Sequence, residues 1–165
     1  MKNDKTVNLV NAALFTALVT IATVMIRIPS PTQGYKNLGD CFVILSAWMI
    51  GPIYGAIASG VGSLISDIIA GAPYYALGSL IIKGLAALVC ALIFKKEKGV
   101  GNRIFSGVMG EIIVVLGYFG YSSLILGNGI SASVSIPGNM IQGAIGIILA
   151  LAIYQLVKKA KIFNR

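Results

Sequence analysis

The sequence predicts an all-α integral membrane protein, a bundle of six transmembrane helices with both termini cytoplasmic, formed by residues 1–165 as a single unit. Three observations lead there. Of the 165 residues, 57% are hydrophobic and 11% charged, with mean hydropathy +0.90, whereas a soluble domain carries roughly 25% charged residues. The apolar residues fall into runs of about the 20 helical residues that cross a bilayer. The 13 lysines and arginines outnumber the 5 acidic residues and cluster beside those runs, as cytoplasmic loops do under the positive-inside rule.

Residues 7–28 make the first span, ending at Arg27 and the Pro29-Ser30-Pro31 break. A signal peptide would have a shorter apolar region followed by a small-residue cleavage site, which Ile28-Pro29-Ser30-Pro31 does not offer. Residues 41–70 are too long for one straight span and are interrupted at Gly51-Pro52, a strong break signal. Locally, a kink in one helix and a hairpin between two fit equally. Parity decides: if the amino terminus and the basic stretch Lys95, Lys96, Lys98 and Arg103 are both cytoplasmic, an even number of crossings separates them. Four satisfy this, at 7–28, 40–50, 52–70 and 74–94, with Gly71-Ala72-Pro73 turning the last pair outside. The second is short and tilts or thins the bilayer locally. Residues 104–126 make a fifth span, Gly127-Asn128-Gly129 a break, and 136–157 a sixth. Ten of the 13 cations are then cytoplasmic, Arg27 and Lys36 external, and Lys83 within a span.

Composition also narrows the chemistry. The chain has no histidine, which removes His-based triads, His-ligated zinc and the usual neutral-pH proton relays. No Gly-x-x-x-x-Gly-Lys-Ser/Thr motif for ATP occurs. Cys41 and Cys90 fall at opposite ends of their spans, too far apart to bridge. The basic residues flank apolar spans instead of forming a polar stripe, so they point to the lipid bilayer and not to nucleic acid. No enzyme, metal or cofactor is expected.

Ionised side chains inside a span cost at least about 2.5 kcal/mol each on insertion scales. Asp67, Lys83 and Glu111 carry that cost. Lys83 and Glu111 both fall near mid-bilayer. One reading makes them a structural ion pair joining spans four and five; the other makes them the floor of a polar cavity. Tyr118 and Ser122 follow Glu111 on one helical face, and Asn139 and Gln142 share a face on span six. With Tyr74, Tyr75 and Tyr121 nearby, polar groups collect in the outer half. An interfacial belt explains tyrosines but not carboxylates, amides and a lysine. The first external connection, 27–40, holds Pro29, Pro31, Gly34, Tyr35, Asn37 and Asp40, suiting either a loop over a cavity mouth or a plain connector with Asn37 to Asp40 capping span two.

Small residues form a further pattern. Gly51, Gly55, Ser59, Gly62 and Ser66 line span three, and Ala13 and Ala17 stand one turn apart on span one. Such spacing permits close helix approach, within the bundle or against another membrane protein.

The order of these motifs resembles the substrate-binding S components of energy-coupling factor (ECF) vitamin transporters, in particular the riboflavin-related group. The likeness is carried by Asn37-Leu38-Gly39-Asp40, Gly51-Pro52-x-Tyr54-Gly55-Ala56, Gly60-x-Gly62-Ser63 with Asp67 and Gly71, and Ile82-Lys83-Gly84. It continues through Gly110-Glu111, Gly117-Tyr118-Phe119 and Pro137-Gly138-Asn139-x-x-Gln142-Gly143. The resemblance implies a high-affinity binder of a water-soluble vitamin in a bacterial plasma membrane, its pocket on the extracellular side under the first loop. It also implies partners, a transmembrane T component and two ATPase subunits, with Ala13 and Ala17 matching the first-helix contact to the T component. Candidate substrate-binding residues are Asn37, Asp40, Asp67, Tyr74, Lys83, Glu111, Tyr118, Asn139 and Gln142. Tyrosines, amides and a lysine against carboxylates suit a small nitrogen heteroaromatic: vitamin B6 or a hydroxymethylpyrimidine first, riboflavin next. The alternative is an autonomous ion-coupled transporter using Asp67, Lys83 or Glu111 as a proton relay.

Overall fold

The computed structural model describes residues 2–29 and 35–160. Its six α-helices are α1 Lys2–Met25, α2 Gly39–Ile50, α3 Pro52–Ile69, α4 Pro73–Ile93, α5 Val100–Gly120 and α6 Ile136–Lys159. Between α1 and α2 a two-residue strand β1, Ile28–Pro29, pairs antiparallel with β2, Tyr35–Lys36. Five segments are long and apolar enough to cross a bilayer: Lys5–Met25, Pro52–Ile69, Pro73–Ile93, Val100–Ile125 and Gly129–Lys159. The protein is therefore a multi-pass membrane protein. Of the residues anticipated in the first connection, Pro31 and Gly34 lie outside the described residues, as do Lys161 and Arg165.

Local chemistry explains where the helices stop. α1 ends at Met25, three residues short of the predicted limit, because Ile28 pairs with Lys36 and a residue before proline disfavours helical backbone. Gly51 separates α2 from α3 with φ 82°, and Pro52 opens α3, a left-handed residue followed by one that needs no N–H partner. The two helices form a hairpin, since the Ser46 and Ser59 hydroxyls meet at 2.9 Å. Gly71, at φ 78°, and Pro73 repeat the device between α3 and α4.

α5 begins at Val100, so Arg103, anticipated in the preceding loop, belongs to the helix. Asn102 ties the short connection by accepting from the Lys95 N–H (2.6 Å) and donating to the Ile93 carbonyl (3.1 Å). Arg103 is thereby turned inward, buried with its guanidinium 4.7 Å from the Tyr154 ring centre. Beyond α5 a wide turn, Tyr121–Ile125, and a tight helical stretch, Gly129–Ser135, lead to α6.

α2 is the axis of the bundle, in contact with α1, α3, α4 and α6. Its 12 residues rise only about 18 Å, against a hydrocarbon core of about 30 Å. The helix is too short to cross by itself and is instead enclosed by its neighbours. Val43, Ile44, Leu45, Ala47 and Trp48 are all buried, the pattern of a helix covered on every side. Toward the basic loop the core ends in an aromatic cluster, with the Trp48 ring 5.9 Å from Phe94 and 5.6 Å from Tyr154.

The small residues of α3 serve the bundle itself. Gly55 abuts the backbone of Ala47, Gly62 the Thr16 carbonyl and Val19, and Gly60 the Leu80 carbonyl. Thr20 donates to the Gly62 carbonyl at 3.0 Å. On α1, Phe15 and Val19 are buried, whereas Ala13 and Ala17 stand exposed on a face with Val10, Leu14 and Ile21.

Candidate functional site

Residues 35–37 form a strap across the end of the bundle opposite the aromatic cluster. The Tyr35 hydroxyl donates to Asp67 Oδ1 on α3 at 2.6 Å. The Lys36 ammonium donates to Asn139 Oδ1, and the Asn37 N–H to Gln142 Oε1, each at 2.8 Å and both on α6. Asn37 Oδ1 accepts from the Gly39 N–H at 2.8 Å, which turns the chain into α2. Burial and the Asp67 carboxylate hold the Tyr35 phenol well above its ordinary range, so it stays protonated and donates. Burial, with Lys83 nearby, lowers the Lys36 ammonium below its usual value.

Beneath the strap lies a narrow cleft with an interior free space of about 40 Å3. Tyr35, Lys36 and Asn37 form its roof. Asp67 enters from α3, Tyr75 and Ser79 from α4, Tyr118 from α5, and Ser135, Asn139 and Gln142 from α6 and the turn before it. The walls are cross-braced: the Ser79 and Tyr118 hydroxyls meet at 2.7 Å, and the Tyr75 and Tyr118 ring centres stand 6.1 Å apart. The cleft thus offers aromatic faces, amide groups and a carboxylate to a molecule entering from the strap side.

Under the cleft a second polar layer corrects the sequence-based pairing. Lys83 forms its ion pair with Asp40 Oδ1, not with Glu111. Gln142 Nε2 donates to Asp40 Oδ2 at 2.6 Å, and all three residues are buried. Because α2 is short and enclosed, its first turn brings Asp40 to the level of Lys83. Glu111 lies beside Asp40, its Oε2 against Gly143 and without a hydrogen-bond partner among the described residues. Gln142 joins the two layers, accepting from the strap and donating to Asp40.

Of the candidate residues, Asn37, Asp67, Tyr118, Asn139 and Gln142 line the cleft, while Asp40, Lys83 and Glu111 form the layer below. Lys83 stays close to the walls, 5.4 Å from the Tyr118 ring centre. Tyr74 stands apart: it is 40% exposed and packs on Tyr75 at 5.3 Å, and the adjacent Tyr75 occupies the wall. Sequence reasoning passed over Ser79 and Ser135 as lining residues. The signal for Ser79 was present, since Tyr75, Ser79 and Lys83 recur every four residues and share a helix face. Ser135 gave none, lying outside the regular spans.

The same architecture occurs in a solved structure described as "Structure and mechanism of the S component of a bacterial ECF transporter". It aligns over 100% of both chains with TM-score 0.75 at 20% identity. A relative from Pyrococcus woesei, described as an uncharacterized protein in the gap 3' region, is 36% identical over 142 residues, 86% of this chain and 95% of its own. The profile described as "ECF-type riboflavin transporter, S component" matches residues 3–159. The cleft, its strap and the enclosed short helix are thus features of a chain that belongs to the S-component family of ECF-type riboflavin transporters.

Proposed function

We propose that this protein is the membrane-embedded binding subunit for uptake of a water-soluble vitamin or vitamin precursor, energised by a separate T component and two ATPase subunits. The observation that carries the reading is the cleft itself: tyrosine faces and amides closed over by residues 35–37, each of which is bonded to a different residue of the helices. In this reading all six helices cross the membrane, α2 within its protein sheath, with both termini cytoplasmic and the strap outside.

A single-ring nitrogen heterocycle, a B6 form or a hydroxymethylpyrimidine, fits best. The cleft's interior free space is small, about 40 Å3, well below the roughly 300–1,000 Å3 of formed small-molecule sites, which favours the smaller ligand and requires the strap to give way as it enters. Riboflavin is the second reading, favoured by the family description. The exposed Ala13 and Ala17 leave a shallow stripe for the T component, whose helices approach closely where side chains are small.

Mass spectrometry of the molecule carried through mild detergent purification tests the assignment, and recovery of no vitamin-like compound would count against it. Growth rescue in a vitamin-requiring host should depend on co-expressed ATPase subunits. Rescue by this chain alone would favour an autonomous transporter.

A further inference from the structure

Asp67 is 5% exposed and lines the cleft. Its Oδ1 accepts from Tyr35, but Oδ2 has no hydrogen-bond partner among the described residues. A buried carboxylate oxygen without a donor is costly, and more so when ionised. The Ser79 hydroxyl lies beside the Asp67 carboxylate, and several neighbouring polar groups carry bonds of their own. Gln142 has a bond at each end, Asn139 Oδ1 holds Lys36, and the Ser79 and Tyr118 hydroxyls hold each other. Among the described residues, Asp67 Oδ2 is thus a buried acceptor without a hydrogen-bond partner, set in the cleft between aromatic walls.

We infer that Asp67 Oδ2 selects the ligand by accepting an N–H that carries full or partial positive charge, an exocyclic ring amine or a protonated ring nitrogen. The substrate class is then the amino-substituted or ring-protonated single-ring heterocycle. A ligand turning a carbonyl or an apolar edge to this oxygen leaves it stranded. Rejection on that ground is sharper than shape alone achieves, because an unpaired buried polar group is penalised more heavily than a missing methyl group. The inference rests on the vitamin-binding reading and narrows it.

Titration calorimetry on the full chain in detergent would use two probes: the hydroxymethylpyrimidine carrying its ring amino group, and the same ring with a methyl group in that place. The wild type should favour the amine by roughly 10- to 100-fold, the range of a hydrogen bond to a charged group. In Asp67→Asn, whose amide nitrogen would face the ligand, that preference should collapse. Tyr35→Phe, which leaves Oδ2 in place, should retain it. An equal affinity of the wild type for both probes, or an undiminished preference in Asp67→Asn, overturns the inference, and the wild-type comparison stands even if the variant fails to fold. If the wild type binds neither probe yet carries another vitamin through purification, the inference falls and the proposed function stands. Binding of no vitamin at all removes both.

Discussion

Lys83 on α4 is bonded to Asp40 at the start of α2, a pair separated by 43 residues and buried to 3% and 1% exposure. Removing one partner of such a pair strands a buried charge and costs about 3–5 kcal/mol, whereas replacing both is far milder. Lys83→Met should therefore lower the thermal stability of the detergent-solubilised protein severely, and Asp40→Asn in the same chain should restore most of it. A double-mutant cycle with Glu111→Gln should show weaker coupling to Lys83. The opposite ranking would return the ion pair to Lys83 and Glu111.

Gln142 connects the strap to this buried layer. Gln142→Leu deprives both the Asn37 N–H and Asp40 Oδ2 of their partners, with a loss of about 1–3 kcal/mol for each buried group left unsatisfied. Vitamin affinity should fall along with stability. Limited proteolysis should cut within the first connection faster than in the wild type, and unchanged protection there would show that other contacts hold the strap.

Gly60 lies so close to α4 that a Cβ would sit 2.6 Å from the Leu80 carbonyl oxygen, while Gly101 faces open space. Gly60→Ala must push two backbones apart and should destabilise by about 1–3 kcal/mol. Gly101→Ala should be neutral or slightly stabilising, since alanine is the better helix former. Comparison of the two melting temperatures checks the α3–α4 contact.

Ala13→Trp and Ala17→Trp place bulk on the exposed face of α1. Vitamin binding by the isolated protein should survive, while uptake through the assembled transporter should be lost. Loss of binding in the isolated protein would mean that this face helps to shape the bundle.

Orientation is open to chemical labelling, because Cys41 and Cys90 are buried and give little background. A cysteine placed at Asn128 should react with an impermeant thiol reagent on intact cells, and one at Lys98 should not. The reverse pattern would invert the proposed topology.

The sequence by itself determined the helices, because their causes are local. The length of an apolar run, a Gly-Pro step at 51 and 52, a Gly-Ala-Pro step from 71 to 73 and basic clusters each act within a few residues. It also marked Asp67, Asn139 and Gln142 as costly polar positions that call for partners. Only the tertiary structure decided which partners those are. Helical periodicity gives the face a residue shares along its own helix, but not the depth and rotation of one helix against another. Two such relationships were therefore invisible: the sinking of α2, which delivers Asp40 to Lys83, and the turn of α4, which presents Tyr75 and Ser79 while Tyr74 faces outward. Side-chain pairing is set by those relative positions, and they follow from how the small residues of α3 let α1, α2 and α4 approach its backbone.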